Sequence, residues 1–201
     1  MDAADPGQER AGAGIPLAPG LLSRCSGDGS FRLWGDARQT LQPLCSQGAS
    51  QLDLIWHDAF SPQRCPQLWS AEFLAGLVGL LQPQGRWISY CSAAAVREAL
   101  RLAGQQLTAL HTPHDSAGQP RCWSGGTVAS PGLLPDSPLW RALTPMEWDH
   151  LASSAAEPYR DPSADAPADR ILAWRQRAQA QALAEGKRCS SSAWRRRWGV
   201  A

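Results

Sequence analysis

Apolar and polar residues follow two periods along this chain, and each change of period marks an element. Leu52, Leu54, Ile55 and Trp56 make a short, nearly continuous apolar run of the kind that a strand buried on both faces requires, and Ser61-Pro62 forbids its extension. Upstream, Phe31-Arg32-Leu33-Trp34 alternates as a strand and stops at Gly35-Asp36. Ala37-Arg38-Gln39-Thr40-Leu41 then reads as a helix start with Asp36 as its N-cap. A helix is predicted from Ser70 as N-cap through residue 81, since Phe73, Leu77, Leu80 and Leu81 recur at helical spacing. Pro83-Gln84-Gly85 predicts a turn and residues 86–91 a strand. Ser92 is then placed to cap a helix over 93–103, with Val96, Ala99, Leu100 and Ala103 on one face and Gly104 as the C′ residue. Residues 107–110 and 127–129 read as final strands, separated by a Pro/Gly loop through residue 120. Strands alternating with helices imply an α/β fold with a parallel sheet and right-handed crossovers.

Beyond residue 140 the pattern turns helical and charged. Ile171, Trp174 and Ala178 share a face, Gly186 ends that segment, and Ser190-Ser191-Ser192 leads into Ala193-Trp194-Arg195-Arg196-Arg197-Trp198. Three parts are expected: a loop-like segment over 1–29, an α/β domain over 30–140 and a helical extension over 141–201. Net charge is only +1, yet residues 170–201 carry eight basic residues against one acid, Glu185, so basic charge is concentrated at the C-terminal end. Six cysteines lie far apart with no Cys-x-x-Cys pair, which suggests reduced thiols and a cytoplasmic setting rather than a zinc motif or a disulfide scaffold. The longest apolar stretch, 73–81, is far shorter than the roughly 20 residues that span a bilayer, so no membrane partner is expected. The acidic start Met1-Asp2-Ala3-Ala4-Asp5 lacks the order of a secretory signal. Ten tryptophans supply large aromatic surfaces for packing or for stacking on bases.

The acid that ends the apolar run, Asp58, is the first candidate for chemistry, because ligands of open α/β sheets sit beyond the carboxyl ends of the strands. A carboxylate there equally serves as a cap for the following turn. The Gly12/Gly14 pair has no preceding strand and is followed by Pro16 and Pro19, so it is not a nucleotide-binding turn. His57, His111, His114 and Asp115 offer metal-ligand chemistry, but the His111/His114 pair crosses a proline in a loop without a fixed third ligand, and no metal is expected. No Gly-x-Ser-x-Gly elbow or P-loop gives support for a hydrolase or phosphotransferase.

Gly35-Asp36-Ala37-Arg38, Asp58-Ala59-Phe60-Ser61-Pro62 with Pro66 and Trp69 following, and Val96-Arg97 together resemble the MnmC-like methyltransferase family over roughly residues 31 to 129. The tail, with Pro158-Tyr159-Arg160-Asp161-Pro162, resembles that of a shorter, stand-alone branch without the flavin-dependent oxidase half. The resemblance implies a Rossmann-like sheet that binds S-adenosylmethionine and methylates an aminomethyl nitrogen on a modified wobble uridine of tRNA. It implies that Asp36 accepts from the adenine amino group, that Ala37 offers backbone contact, and that Asp58 lies near the incoming amine as the catalytic carboxylate. Phe60 would join Asp36 and Ala37 as a cofactor-binding residue and, with Trp69, wall the site and stack on an extruded base, while Arg97, Arg195, Arg196 and Arg197 would hold phosphates or bases of the RNA.

One departure from that family concerns the sheet. Its members begin with a strand and a Gly-rich turn for the methionine part of the cofactor, then a second strand whose terminal acid binds the ribose, and neither is recognisable before Phe31. Those strands lie between the one ending at Asp36 and the one ending at Asp58. The expectation is therefore a Rossmann-like fold incomplete at its N-terminus, with an apolar edge on Leu52 to Trp56 that an upstream segment or a partner chain completes. The alternative function, from a different class, is a non-catalytic RNA-binding or interaction module that keeps the sheet and the basic tail.

Overall fold

A computed structural model of the chain describes residues 22–24, 31–46, 52–111 and 124–200. In chain order these form β1 (Leu22–Arg24), β2 (Phe31–Leu33), α1 (Ala37–Ser46), β3 (Leu52–Trp56), α2 (Ala71–Val78), β4 (Leu81–Ser89), α3 (Ala94–Leu102), β5 (Gln106–Leu110), β6 (Gly126–Ser130), β7 (Trp140–Ala142), α4 (Pro145–Leu151), α5 (Ala168–Ala184) and α6 (Ser191–Trp198). Five strands make one sheet in the order β3-β4-β6-β5-β7. Only β3 and β4 run parallel, and the β4–β6, β5–β6 and β5–β7 pairs are antiparallel. The parallel sheet expected from alternation is thus corrected to a mixed one. No helix separates β5 from β6 among the described residues, and β6 inserts between β4 and β5 with reversed direction.

The helices follow their caps. Asp36 starts α1, its Oδ1 accepting from Arg38 N at 3.0 Å, and the Ser70 hydroxyl accepts from Phe73 N at 3.2 Å to start α2. Two boundaries differ from expectation. Helix α2 ends at Val78, because residue 81 already pairs with Leu52 in the sheet, and β4 then runs through Pro83-Gln84-Gly85 instead of turning there. The ladder takes up the proline as an irregularity between Leu52 and Leu54, and Gly85 makes the close approach possible: a Cβ there would stand 2.5 Å from the Leu52 carbonyl. The cap of α3 is Ala93, with no side-chain hydrogen bond, rather than Ser92. Gly104 does close that helix, with φ +79° and the N–H of Gln105 bonded to Leu100 O at 3.1 Å.

The sheet is covered more deeply on one face than on the other, except at its central strand β6, which is buried at every residue. In β4, Gly85, Trp87 and Ser89 are buried while Arg86 and Ile88 are half-buried; in β5, Leu107 and Ala109 are buried and Thr108 and Leu110 are half-buried. Against the covered face pack Leu74 and Val78 of α2 and Val96, Ala99 and Leu100 of α3, with Trp69, Trp87, Tyr159 and Ile171 completing the core. Ala156, Tyr159, Ala166 and Ile171 of the C-terminal extension therefore belong to the same core as the sheet. A smaller cluster of Leu41, Phe73 and Leu80 ties α1 to α2.

Strand β3 overturns the expectation of burial on both faces. Leu52, Leu54 and Trp56 are 40%, 50% and 72% exposed, and only Ile55 packs toward the core. The cause is topological. β3 is the edge of the five-stranded sheet, and β2, the strand leading to Asp36, pairs instead with β1 in a separate antiparallel ribbon. That ribbon also places a strand, Leu22–Arg24, inside the segment expected to be loop-like.

This burial pattern orders the cost of truncation. Leu74→Ala, at 0% exposure, is expected to lower unfolding stability by about 3 kcal/mol, whereas Leu54→Ala at the open edge is expected to cost about 0.5 kcal/mol or less. Urea unfolding of both variants checks the contrast, and equal losses would show that the β3 edge is covered in solution.

Candidate functional site

The carboxyl ends of β3 and β4 meet at the loop that begins with His57 and Asp58. His57 N bonds to Ile88 O at 2.9 Å, which extends the β3–β4 ladder by one residue and brings the next side chain, Asp58, out at the end of the sheet. Asp58 is exposed there. Two neutral donors then fix the loop: Tyr90 Oη gives its proton to Ala59 O at 2.8 Å, and Trp69 Nε1 donates to Phe60 O at 2.6 Å. Pro62 is buried, and the amides of Arg64 and Cys65 both bond to Ser61 O, which makes the following turn rigid. Phe60 is left 75% exposed and Tyr90 49% exposed, so two aromatic rings stand clear of the core, one on the Asp58 loop and one at the end of the neighbouring strand β4.

Beneath this loop lies an aromatic floor. The His57 ring sits 4.5 Å from Trp69 in an edge-on arrangement and 5.4 Å from Trp87, and both tryptophans are fully buried. Burial holds the His57 imidazole well below its usual range, at about 4, against the opposing pull of Asp58 and of a hydrogen bond with the Leu68 backbone; its Nε2 is buried without a hydrogen-bond partner. It is a neutral core histidine at physiological pH.

A second part of the site surrounds Asp36. The same loop that carries Asp58 continues through Cys65, Gln67 and Leu68, and with Gly35, Asp36, Ala37 and Arg38 these residues line a cavity of about 300 Å³. Gly35 has φ +126°, a conformation in which a side chain is strained, and it turns the chain so that Asp36 opens the helix. The Asp36 side chain is 43% exposed and bonded to Arg38, through Oδ1 to Nε at 3.1 Å and through Oδ2 to Nη2 at 2.6 Å. Those hydrogen bonds hold its carboxyl below the usual range despite partial desolvation. An ionised acceptor beside a concave space suits the exocyclic amine of a purine, so the residues present fit the adenine end of the cofactor.

Two expected contacts with RNA do not reach the surface. Trp69 is 0% exposed, so it supports the loop from below and has no free face for a base. Arg97 is 1% exposed. Its guanidinium donates to Thr127 Oγ1 at 3.0 Å, Ser124 Oγ at 2.6 Å and Glu147 Oε1 at 3.2 Å, which makes it a structural ion pair between α3 and α4. Glu147 also receives Arg141 Nη1 at 2.6 Å and closes a capping box with Thr144. Burial raises the Glu147 carboxyl, but the bonds from Arg141 and the Thr144 amide and the charge of Arg97 more than offset it, leaving it at about 2.

The C-terminal basic cluster divides. Arg197 is engaged by Asp149, both oxygens at 2.7 Å, with Trp198 Nε1 on the same carboxylate. Trp194 is buried and stacked on His150. Arg195 and Arg196 are exposed, and Arg195 lines a cleft of about 330 Å³ with Gln63, Ala93 and Ser191. That cleft therefore reaches the Asp58 loop at Gln63. Sequence reasoning missed Tyr90, although its position at the end of the strand beside β3 is the same signal that singled out Asp58. Of the histidine set considered for metal, His111 is exposed, and His114 and Asp115 lie outside the described residues.

Residues 26–113 match a family described as S-adenosyl-L-methionine-dependent methyltransferase. The chain is 30% identical over 141 residues to an uncharacterized protein of Methanocaldococcus jannaschii, a match covering 69% of this chain and 35% of that protein. Its structure is similar to the crystal structure of MnmC2 from Aquifex aeolicus, with TM-score 0.65 and 28% identity, covering 79% of this chain and 48% of the other. The chain thus spans less than half the length of either relative. No helix among the described residues is long and apolar enough to cross a membrane.

Two measurements test the electrostatics beneath the site. An unfolded histidine titrates near 6.5 and folded His57 near 4, so between these values the unfolded state binds more protons and stability falls as pH falls, by about 3 kcal/mol for His57 alone. His150, held at about 4 by burial and by Arg97 and Arg195, acts in the same window. Urea unfolding between pH 7 and 4 is expected to show this loss, with His57→Phe removing roughly half of it. Glu147→Leu leaves the Arg97 charge buried without its carboxylate and is expected to cost about 3 kcal/mol or more at pH 7.

Proposed function

We propose that this chain, whose residues 26–113 match an S-adenosyl-L-methionine-dependent methyltransferase family and whose structure is similar to that of MnmC2, methylates the aminomethyl nitrogen of a modified wobble uridine in tRNA. The observation that carries this reading is the exposed Asp58 on a loop pinned by Trp69 and Tyr90, in a segment continuous with the cavity around Asp36. Asp36, with the backbone of Ala37, would hold the adenine end of the cofactor. When bound, S-adenosylmethionine supplies an electrophilic methyl group on a sulfonium.

The work of the chain's own residues follows from the chemistry of the acceptor. A primary alkylamine is protonated at neutral pH, with a pKa of about 10, and has no free lone pair until it loses a proton. Asp58 orients the ammonium by a charge-assisted hydrogen bond and takes up its proton as the nitrogen becomes nucleophilic. Phe60 and Tyr90 present apolar ring surface on which an extruded uracil stacks and from which water is displaced. The pinned backbone between them holds Asp58 in one place, so that little reorganisation accompanies proton transfer. Arg195 and Arg196, exposed near the cleft that ends at Gln63, supply phosphate contacts for the RNA.

A second reading, a non-catalytic RNA-binding module, is favoured by the same exposed arginines and by the open β3 edge. The two separate in one experiment. With tRNA bearing the aminomethyl group, Asp58→Asn is expected to lower methyl transfer by roughly 10²-fold or more while leaving tRNA affinity within twofold of the unsubstituted chain. Arg195→Ala with Arg196→Ala is expected to weaken tRNA binding and to flatten its salt dependence. Tight tRNA binding without calorimetric binding of S-adenosylmethionine would leave the module reading standing.

A further inference from the structure

Arg38 is bound on two sides at once. Toward the cavity it grips Asp36, from Nε to both carboxylate oxygens at 3.1 Å and from Nη2 to Oδ2 at 2.6 Å. Away from the cavity, its Nη1 donates to Asp161 Oδ2 at 2.7 Å and to Ala166 O at 3.0 Å. Asp161 is 1% exposed and is itself held, its Oδ1 accepting from Ala166 N at 3.1 Å and its own amide donating to Glu72 Oε2 at 2.9 Å. Arg160 Nε bonds the other oxygen of Glu72 at 2.6 Å, which fastens the segment to α2. The planar guanidinium has a fixed fork, so with Nη1 anchored in the interior, Nε and Nη2 have one direction in which to point. Arg38 also forms part of the wall between the cavity at Asp36 and a larger one of about 440 Å³ that includes Asp161, Leu41 and Phe73.

We propose that Arg38 is a positioning residue for the Asp36 carboxylate and that Asp161, from the C-terminal extension, sets the direction of Arg38. The adenine-side acceptor is then aimed through Arg38 by a residue 123 positions beyond that arginine, and the extension is part of the cofactor site without touching the cofactor. This inference rests on the assignment of Asp36 made above for the adenine amine. A lysine at position 38 neutralises Asp36 but cannot hold both carboxylates in one plane, so charge alone does not replace the fork.

The test uses the full chain and two readouts. The first is calorimetric binding of S-adenosylmethionine to the unsubstituted chain, Arg38→Lys, Arg38→Gln and Asp161→Asn; the second is the carboxyl carbon of Asp36, followed by NMR titration without ligand, with thermal unfolding to confirm that each variant is folded. Asp161→Asn and Arg38→Gln are expected to weaken binding at least tenfold and to move the Asp36 titration up toward an ordinary carboxylate, with Arg38→Lys intermediate in titration but as weak in binding. If Asp161→Asn is folded, and binds and titrates as the unsubstituted chain does, the proposal is overturned. Should Asp161→Asn not fold, Arg38→Lys decides: affinity equal to the unsubstituted chain overturns the proposal, and a tenfold loss supports it. If the unsubstituted chain binds no S-adenosylmethionine while the Asp36 titration still moves in Asp161→Asn, the positioning stands and the cofactor assignment fails.

Discussion

The hydrogen bond from the Trp69 indole to the Phe60 carbonyl is the constraint on which the site depends. Its donor belongs to a fully buried ring that also packs against His57 and, edge-on, against Tyr90, so the bond joins the core of the domain to the loop above it. A loop carbonyl left without such a donor would be free to move with the loop. Here the loop is pinned at adjacent residues, Ala59 by Tyr90 and Phe60 by Trp69, and the side chains between the sheet and these anchors inherit that rigidity. The aromatic floor is also why a histidine next to the candidate catalytic acid stays neutral and takes no part in proton transfer.

Much of the fold was legible from local signals. Asp36 and Ser70 are helix caps by type, Gly104 ends α3 in the left-handed region, and Val96, Ala99 and Leu100, expected on one face of α3, are buried, although the helix is buried on its other sides as well. What could not be read was pairing. Residues 52–56 have the composition of a central strand, yet strand order makes them an edge, because composition records which residues favour burial and not which neighbours are present to bury them. The turn expected at Pro83-Gln84-Gly85 failed for a related reason: the sheet accommodated a proline as a ladder irregularity that Gly85 permits.

The candidate site was legible where a residue stands at the end of a strand and illegible where it depends on distant packing. Asp58, singled out by its position, is exposed at the sheet's end, and Phe60, which only the resemblance pointed to, is exposed on the same loop. Arg97 and Trp69 occupy equally suggestive positions in the sequence but turn inward. Arg97 does so because Glu147, 50 residues later, supplies a buried carboxylate already held by Arg141 and Thr144. A lone arginine on an apolar helix face gives no local sign of such a partner. The extension was expected as a helical, basic tail, and α5 and α6 both carry arginines, but Tyr159, Asp161, Ala166 and Ile171 are buried core residues.

The link from Arg38 to Asp161 also has a consequence for the order in which the chain acquires its structure. Contacts between residues so far apart close a long loop and form late, after local helices and neighbouring strands. During synthesis the chain emerges N-terminal end first, so β3, α2 and β4 are available before the segment that anchors Arg38 has left the ribosome. Until then the guanidinium has Asp36 on one side and water on the other. The side of the site that faces Asp36 is therefore completed by the arrival of residues 160–166, and a nascent chain stopped before them carries its strands and its acid with the fork between them still free to turn.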